Sequence, residues 1–294
     1  MSARGAPEPD GIRPKRLMTR VVTAGAYAAA VLLAIWFNRI PSLAKPFNGD
    51  PIVLGLLFSV FAGISATEFY AMQRRESRLP NEMFGVVAAS LMPLAAAMWG
   101  LSGLSATVTG LIGASLIWHV VFVRVRTSDT ATTVFGAVYT GFLLAYLVLI
   151  VRNFAFGREL ALAVVIGVWA NASLAYLVGS TLGRHKMMPR ISPKKSWEGF
   201  LAGAGGTLAV WLLFALLNPR AGVTLTMAVV IGALVGGTVV IGDLFESRMK
   251  REAGVKDSGN SLPGHGGFLD RLDSLILVGL IAYWAMWWGG VPHP

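Results

Sequence analysis

Residues 223–273 read VTLTMAVVIGALVGGTVVIGDLFESRMKREAGVKDSGNSLPGHGGFLDRLD. The first part, 223–245, is an apolar run of the length that crosses a bilayer core as a helix, about 20 residues. The second part changes character abruptly. Between Asp243 and Asp273 stand six acids, Asp243, Glu246, Glu252, Asp257, Asp270 and Asp273, of only 15 in the whole chain. A new apolar run begins at once behind them. Carboxylates, cations, a histidine and glycines gathered between two such helices predict a site for a metal ion and a phosphate.

Working outward, the rest of the chain is of the first kind. Its 294 residues are 55% hydrophobic and 14% charged, with mean hydropathy +0.63. Soluble domains carry about 25% charged residues, so the chain reads as an integral membrane protein. There is no cysteine, which excludes disulfides and thiolate metal sites. The formal charge of +10 sits in short loops between apolar runs. No basic stripe with interleaved aromatics occurs, so the cations predict topology and membrane-lipid contact, and no nucleic-acid partner.

Nine apolar runs are long enough to span: 21–38, 51–70, 83–100, 103–123, 132–151, 159–181, 200–217, 223–245 and 272–290. The fold class expected is all-α and polytopic, with about nine transmembrane helices. Residues 1–19, polar and proline-containing, are expected as a disordered cytosolic tail. Residues 20–158 supply five N-terminal spans. Residues 159–294 form a C-terminal catalytic region of four spans with two active-site loops. The run 21–37 lacks a small-residue cleavage site after it and is expected to be a retained span, not a signal peptide. The third and fourth runs, parted only around Gly100–Gly103, predict a tight hairpin. Small residues, Gly203, Gly205, Gly206, Gly232, Gly236 and Gly237, predict close helix packing.

With nine spans, 20 of the 25 cations fall in the N-terminal tail and the even-numbered loops. The positive-inside rule then predicts a cytosolic N-terminus, with both polar loops, 182–199 and 246–271, on the cytosolic face. They are expected to build one site together, in a multi-pass protein of the plasma (inner) membrane.

The chemistry of those loops follows from spacing. Asp243 and Glu246 are three apart, as are Asp270 and Asp273, so each pair shares a helix face. Two helix ends therefore present four carboxylates, a donor set suited to a hard cation such as Mg²⁺. Helix N-capping accounts for one of Asp270 and Asp273. It does not account for Asp243, read here at a helix C-terminal end, where acids are disfavoured. Glycines at 264, 266 and 267 let backbone N–H groups converge on an anion, or merely serve turns. His265 among them orients a phosphate or transfers a proton. Lys250, Arg251, Lys256 and Arg271 complement phosphate charge; Arg248 reads as a topology marker. In the sixth loop, GRHKMMPRISPKKSWEG at 183–199, Ser192, Lys194, Lys195 and Ser196 offer hydroxyl and ammonium donors, and Glu198 follows them.

Ser247-x-Met249-Lys250-Arg251, Lys256-Asp257-Ser258-Gly259, Leu262-Pro263-x-His265-Gly266-Gly267 and Asp270-Arg271-Leu272-Asp273 together resemble the signature of the phosphatidate cytidylyltransferase (CDP-diacylglycerol synthase) family. Ile191-Ser192-Pro193-Lys194-Lys195-Ser196-x-Glu198-Gly199 and Ala175-Tyr176 with Gly179 also look like this family. The resemblance is strong over roughly 165–290; the N-terminal half matches only as a run of spans. One position departs. Ala172 stands where the family commonly has an acid, so that carboxylate's role is not carried over. Either Asn171 substitutes as a neutral ligand or the site relies on Asp243 and Asp270.

The resemblance implies that CTP and phosphatidic acid give CDP-diacylglycerol and pyrophosphate, with Mg²⁺ (two ions, or Mn²⁺ in their place) and a homodimer. Asp243 and Asp270 would hold the metal, with Glu246, Asp257 or Asp273 beside them. Lys250, Lys256 and Arg271 would neutralise phosphates. His265, Gly266 and Gly267, with Gly264, would shape the anion pocket. Ser192, Lys194 and Lys195 would close over the nucleotide or head group, with Ser196, Glu198, Arg251, Asn171 and Tyr176 in the substrate site. The rival readings are a CTP-dependent polyprenol or phytol kinase, a membrane transporter and a catalytically silent relative. The span interiors, nearly bare of ionisable groups, disfavour the transporter.

Overall fold

Apolar run after apolar run folds as helix in the computed structural model, which describes residues 25–26, 28–36, 51–76, 78–259, 261 and 266–294. The tail 1–19, Gly264 and His265 lie outside the described residues, and so does much of the first expected span. From residue 51 the order is α1 (Ile52–Arg75), α2 (Glu82–Val121), α3 (Thr127–Ala137), a π-helical segment (Val138–Phe142), α4 (Leu143–Asn153), α5 (Gly157–Thr181), β1 (Lys186–Met188), β2 (Ser192–Ser196), α6 (Trp197–Leu217), α7 (Leu225–Glu252) and α8 (Leu269–Gly289). The chain is a multi-pass, helical membrane protein: among the described residues seven helices are long and apolar enough to cross a bilayer, counting Thr127–Asn153 as one.

These helices are apolar around most of their circumference, as lipid-embedded helices are. Val120, Ile117, Leu217 and Trp288 face outward, while Trp211, Tyr70, Tyr283, Phe58 and Phe69 are fully buried. Backbone N–H and C=O groups are satisfied within each helix, the only open-chain solution in hydrocarbon.

Helix α2 carries the expected hairpin. Forty residues of straight helix would reach about 60 Å. Instead Gly100 leaves helical geometry at φ 64° and ψ −144°. The two ends of α2 return to the same neighbours: Asn81 N donates to Thr133 Oγ1 at 2.8 Å, and His119 Nδ1 lies 3.0 Å from Thr130 Oγ1. Only glycine adopts that backbone readily, and its neighbour Gly103 allows the two arms to touch. A Cβ at Gly103 would lie 2.5 Å from the Ala95 carbonyl oxygen.

Three expectations change. The sixth loop is a two-stranded antiparallel hairpin, Lys186 opposite Ser196 and Met188 opposite Ser192. Met188-Pro189-Arg190-Ile191 forms its turn, with Ile191 N donating to Met188 O at 3.1 Å and proline in its favoured second place. Helix α7 runs on to Glu252, so Asp243 is not at its end; Glu246, Met249, Lys250 and Arg251 are strong helix formers and carry it past the apolar run. Gly203, Gly206, Gly232 and Gly236 do face neighbouring helices, with their built Cβ atoms 2.5–3.0 Å from other atoms. Gly205 and Gly237 do not: nothing lies within 4 Å, because each follows an interface glycine by one or two residues and points off that face.

Candidate active site

Along α7, Asp243, Glu246, Ser247 and Lys250 follow an i, i+3, i+4, i+7 spacing and share one face. Helix α8 crosses that face closely. Gly242 makes the approach feasible, since a Cβ there would lie 2.7 Å from the Asp273 carbonyl oxygen and 3.0 Å from Ser274 Cα. Both neighbours are backbone, which cannot swing aside. Gly242→Ala is therefore expected to separate α7 from α8, at a cost of about 1–3 kcal/mol. Its check is a lowered thermal midpoint in detergent together with lost turnover.

At this crossing Lys250 Nζ lies 2.5 Å from Asp270 Oδ1 and 3.4 Å from Glu246 Oε2. The other Asp270 oxygen, Oδ2, accepts from Ser258 N at 3.1 Å and Gly267 N at 2.9 Å. Asp270, in the first turn of α8, thus folds the loop before its own helix. Ser247 Oγ donates to Asp243 Oδ1 at 3.3 Å. From the β-hairpin, Lys195 Nζ reaches Asp243 Oδ2 at 2.7 Å, an ion pair without aligned hydrogen-bond geometry. At this pair the hairpin of the first polar loop meets α7, the helix that leads into the second.

The loop is also held from the other half of the chain. Glu68 on α1 is 5% exposed. Its carboxylate accepts from Ser258 Oγ at 2.9 Å, Phe268 N at 2.9 Å and Leu269 N at 2.8 Å. Phe61, two turns earlier on α1, meets Phe268 edge-on with ring centroids 4.8 Å apart. Sequence reasoning missed Glu68 and Ser258. The available signal was a lone acid at the end of an apolar run, which in a membrane helix needs a partner.

The remaining candidates divide. Gly267 is packed so tightly that an added Cβ would fall 1.8 Å from Ser258 Oγ. Gly266, at φ 82°, lies beside Asp257 and Asp270. Arg251 in the last turn of α7, Lys256 and Asp257 on the loop and Arg271 in the first turn of α8 are exposed. Lys194 and Ser192 sit on β2, Lys194 exposed. Ser196 accepts from Gly199 N at 3.2 Å and caps α6. Glu198 braces the hairpin by accepting from His185 N and pairing with its Nδ1 at 2.6 Å. Two residues are not brought to the carboxylates. Asn171 is 1% exposed and donates to Thr207 Oγ1 and Gly236 O, so it ties α5 to α6 and α7. Tyr176 is 78% exposed on the outer surface of α5.

Whether this site suits a divalent cation can be judged from charge and satisfaction. Asp243, Glu246, Asp270 and Asp273 carry four formal negative charges against two on Lys195 and Lys250. Glu246 is fully buried and neither of its carboxylate oxygens receives a hydrogen bond. Hard oxygen donors, an excess of two formal negative charges and a buried carboxylate whose ion pair with Lys250 at 3.4 Å leaves both oxygens without a hydrogen bond fit one Mg²⁺. Among the described residues no three of these groups already converge on one point. Lys195 and Lys250 lie against Asp243 and Asp270, so a cation would enter by displacing ammonium groups.

Residues 18–288 match the profile of the Cytidylyltransferase family. The chain is 33% identical to a phosphatidate cytidylyltransferase of Pseudomonas aeruginosa, over 82% of this chain and 93% of that one. It is 31% identical to a phosphatidate cytidylyltransferase of Thermotoga maritima, over 91% and 95%. A phosphatidate cytidylyltransferase of Synechocystis is 43% identical over 45% of each chain. A match that takes in nearly every helix from α1 to α8, with relatives aligned almost end to end, places this chain in the cytidylyltransferase family.

Proposed function

We propose that this protein is a phosphatidate cytidylyltransferase, a membrane nucleotidyltransferase that joins CTP and phosphatidic acid into CDP-diacylglycerol and pyrophosphate. The observation that carries this reading is the meeting of Lys195 from the β-hairpin with Asp243 on α7, on the same helix face as Lys250 and its partner Asp270. Cations and carboxylates from both polar loops thus line one volume at the membrane end of the spans, where a lipid phosphate and a nucleotide can meet.

In the reaction a phosphate oxygen of phosphatidic acid attacks the α-phosphorus of CTP. A new phosphoanhydride bond forms, and the bond between the α- and β-phosphates breaks, its electron pair leaving on pyrophosphate. The nucleophile is already ionised, so no general base is required. The obstacle is the approach of two polyanions. Lys195 and Lys250, released from their carboxylates, are placed to neutralise phosphate oxygens, with Lys256 and Arg271 at the rim. Asp243, Glu246, Asp270 and Asp273 would hold Mg²⁺, which supplies charge neutralisation of the triphosphate. The loop folded by Asp270 and Glu68 keeps Gly266 and Gly267 beside this volume; His265 and Gly264 are assigned to the anion pocket by the family resemblance alone.

The test is purified protein with phosphatidic acid, Mg²⁺ and labelled CTP. CDP-lipid with stoichiometric pyrophosphate is expected, lost on chelation and restored by Mg²⁺. Transfer of the γ-phosphate to an added polyprenol, with CDP released, would replace this reading by a lipid kinase.

The same reading sets the site on the cytosolic face of the plasma membrane, with the N-terminus cytosolic, nine spans in all and a homodimer as the assembly. The support is the cation asymmetry, 20 against 5, and the family resemblance. The absence of cysteine makes the sidedness directly measurable. Arg190→Cys is expected to react with an impermeant maleimide only in inverted vesicles, and Arg220→Cys only in right-side-out ones; the reverse pattern would invert the topology.

A further inference from the structure

Helix α7 has a second functional face. Phe245, Arg248, Met249 and Glu252 repeat the spacing of the carboxylate face two residues out of phase, about 200° around the helix. They wall a cavity of about 660 Å³ with Phe69 and Gln73 from α1, Glu76 and Arg78 just after its end, and Ala131 and Phe135 from α3. That volume lies in the range of small-molecule sites, about 300–1,000 Å³. The cavity and the catalytic carboxylates stand on opposite sides of one helix, about 10 Å thick.

Three observations define what the cavity takes. Its floor is aromatic and opens sideways: Phe69 is buried, but Phe135 and Phe245 are 46% and 39% exposed, and Ile241, one turn below Phe245, is 58% exposed. An apolar chain lying on this floor passes directly into the lipid-facing surface. The rim carries both signs: Arg78 pairs with Glu76 at 3.2 Å and Arg248 with Glu252 at 2.9 Å. Finally, Gln73 is 5% exposed, and its Oε1 has no hydrogen-bond partner among the described residues. A buried acceptor without a donor costs about 1–3 kcal/mol, and a ligand N–H would remove that cost once the Gln73 amide turns its oxygen toward the cavity that the side chain lines.

We infer that this cavity binds a zwitterionic aminophospholipid, at a site separate from the substrates. The acyl chain lies along Phe69, Phe135 and Phe245. The phosphate pairs with Arg78 and Arg248. The primary ammonium faces Glu76 and Glu252 and donates to Gln73 Oε1. An anionic head group would leave two glutamates opposed to negative charge. A quaternary ammonium would match the charges but offer Gln73 no N–H.

The test uses the full-length protein in detergent and reads bound lipid by native mass spectrometry. The probes are palmitoyl-oleoyl phosphatidylethanolamine, phosphatidylcholine and phosphatidylglycerol at equal concentration. One phosphatidylethanolamine per chain is expected to be retained, about tenfold or more in preference to either competitor. Ala131→Trp, a change at an exposed wall position, fills the cavity and is expected to abolish retention. Gln73→Leu disturbs no hydrogen bond of Oε1 and is expected to keep the bound lipid but erase the preference for ethanolamine over choline. Equal retention of the three lipids, a preference for phosphatidylglycerol, or unchanged retention by folded Ala131→Trp would each overturn the assignment. Because the readout is mass, it stands or falls independently of turnover and of the catalytic reading.

Discussion

Asp270→Asn is expected to lower turnover roughly 10²- to 10³-fold, the range for removing one preorganised electrostatic element. The carboxylate serves two kinds of donor at once, the Lys250 ammonium on Oδ1 and the backbone N–H groups of Ser258 and Gly267 on Oδ2. An amide has one oxygen. Turned toward the backbone, its NH₂ opposes an ammonium; turned toward Lys250, it opposes two N–H donors. Either way a buried donor loses its acceptor, costing about 1–3 kcal/mol, and Lys250 loses half of its counter-charge. Turnover of the purified variant, measured beside its thermal midpoint, is the check. Activity within about twofold of the parent would remove Asp270 from the reaction.

Glu68→Gln carries the second large effect, from a helix outside the signature. Three donors, Ser258 Oγ, Phe268 N and Leu269 N, converge on its two oxygens. A glutamine keeps one oxygen and adds two N–H groups, so at least one donor meets a donor. Each such mismatch costs about 1–3 kcal/mol. It falls on the loop that carries the glycine turn and the start of α8, and the expected result is a fall in kcat of about 30-fold or more. A loosened loop has a separate signature. Lys256 is exposed and its neighbour Ser258 is buried against Glu68, so trypsin is expected to cut at Lys256 faster in the variant. Parental kcat and parental cleavage together would show that Glu68 does not position the loop.

The contrast between these two residues shows where sequence reading stops. Asp270 was legible because its signal is local. It lies three residues from Asp273 at the edge of an apolar run, within a motif specific enough to be matched as a string. Glu68 was not legible as a site residue because its partners are 190 to 201 residues away. Nothing in its own neighbourhood distinguishes a loop anchor from a stray acid. Ser196 and Glu198 illustrate the converse. Both belong to a recognisable motif, yet their side chains cap a helix and brace a hairpin, because donors and acceptors next to a helix start are captured locally first. Asn171, read from the sequence as one of two ways to make good a lost ligand, is consumed by helix packing among α5, α6 and α7.

By itself the sequence determined the solvent, the apolar helices from residue 51 onward, the hairpin break near Gly100 and the two carboxylate pairs spaced to share a helix face. Bilayer length, glycine's left-handed conformation and helical periodicity act over a few residues and are written in adjacent letters. Only the tertiary structure decided which cation meets which carboxylate, that α1 fastens the signature loop, that the sixth loop is a hairpin delivering Lys195, and that α7 has a cavity behind its carboxylates. Each of these depends on where one helix crosses another. That is set by steric fit at points such as Gly242 against Asp273, a contact between segments that no local pattern encodes.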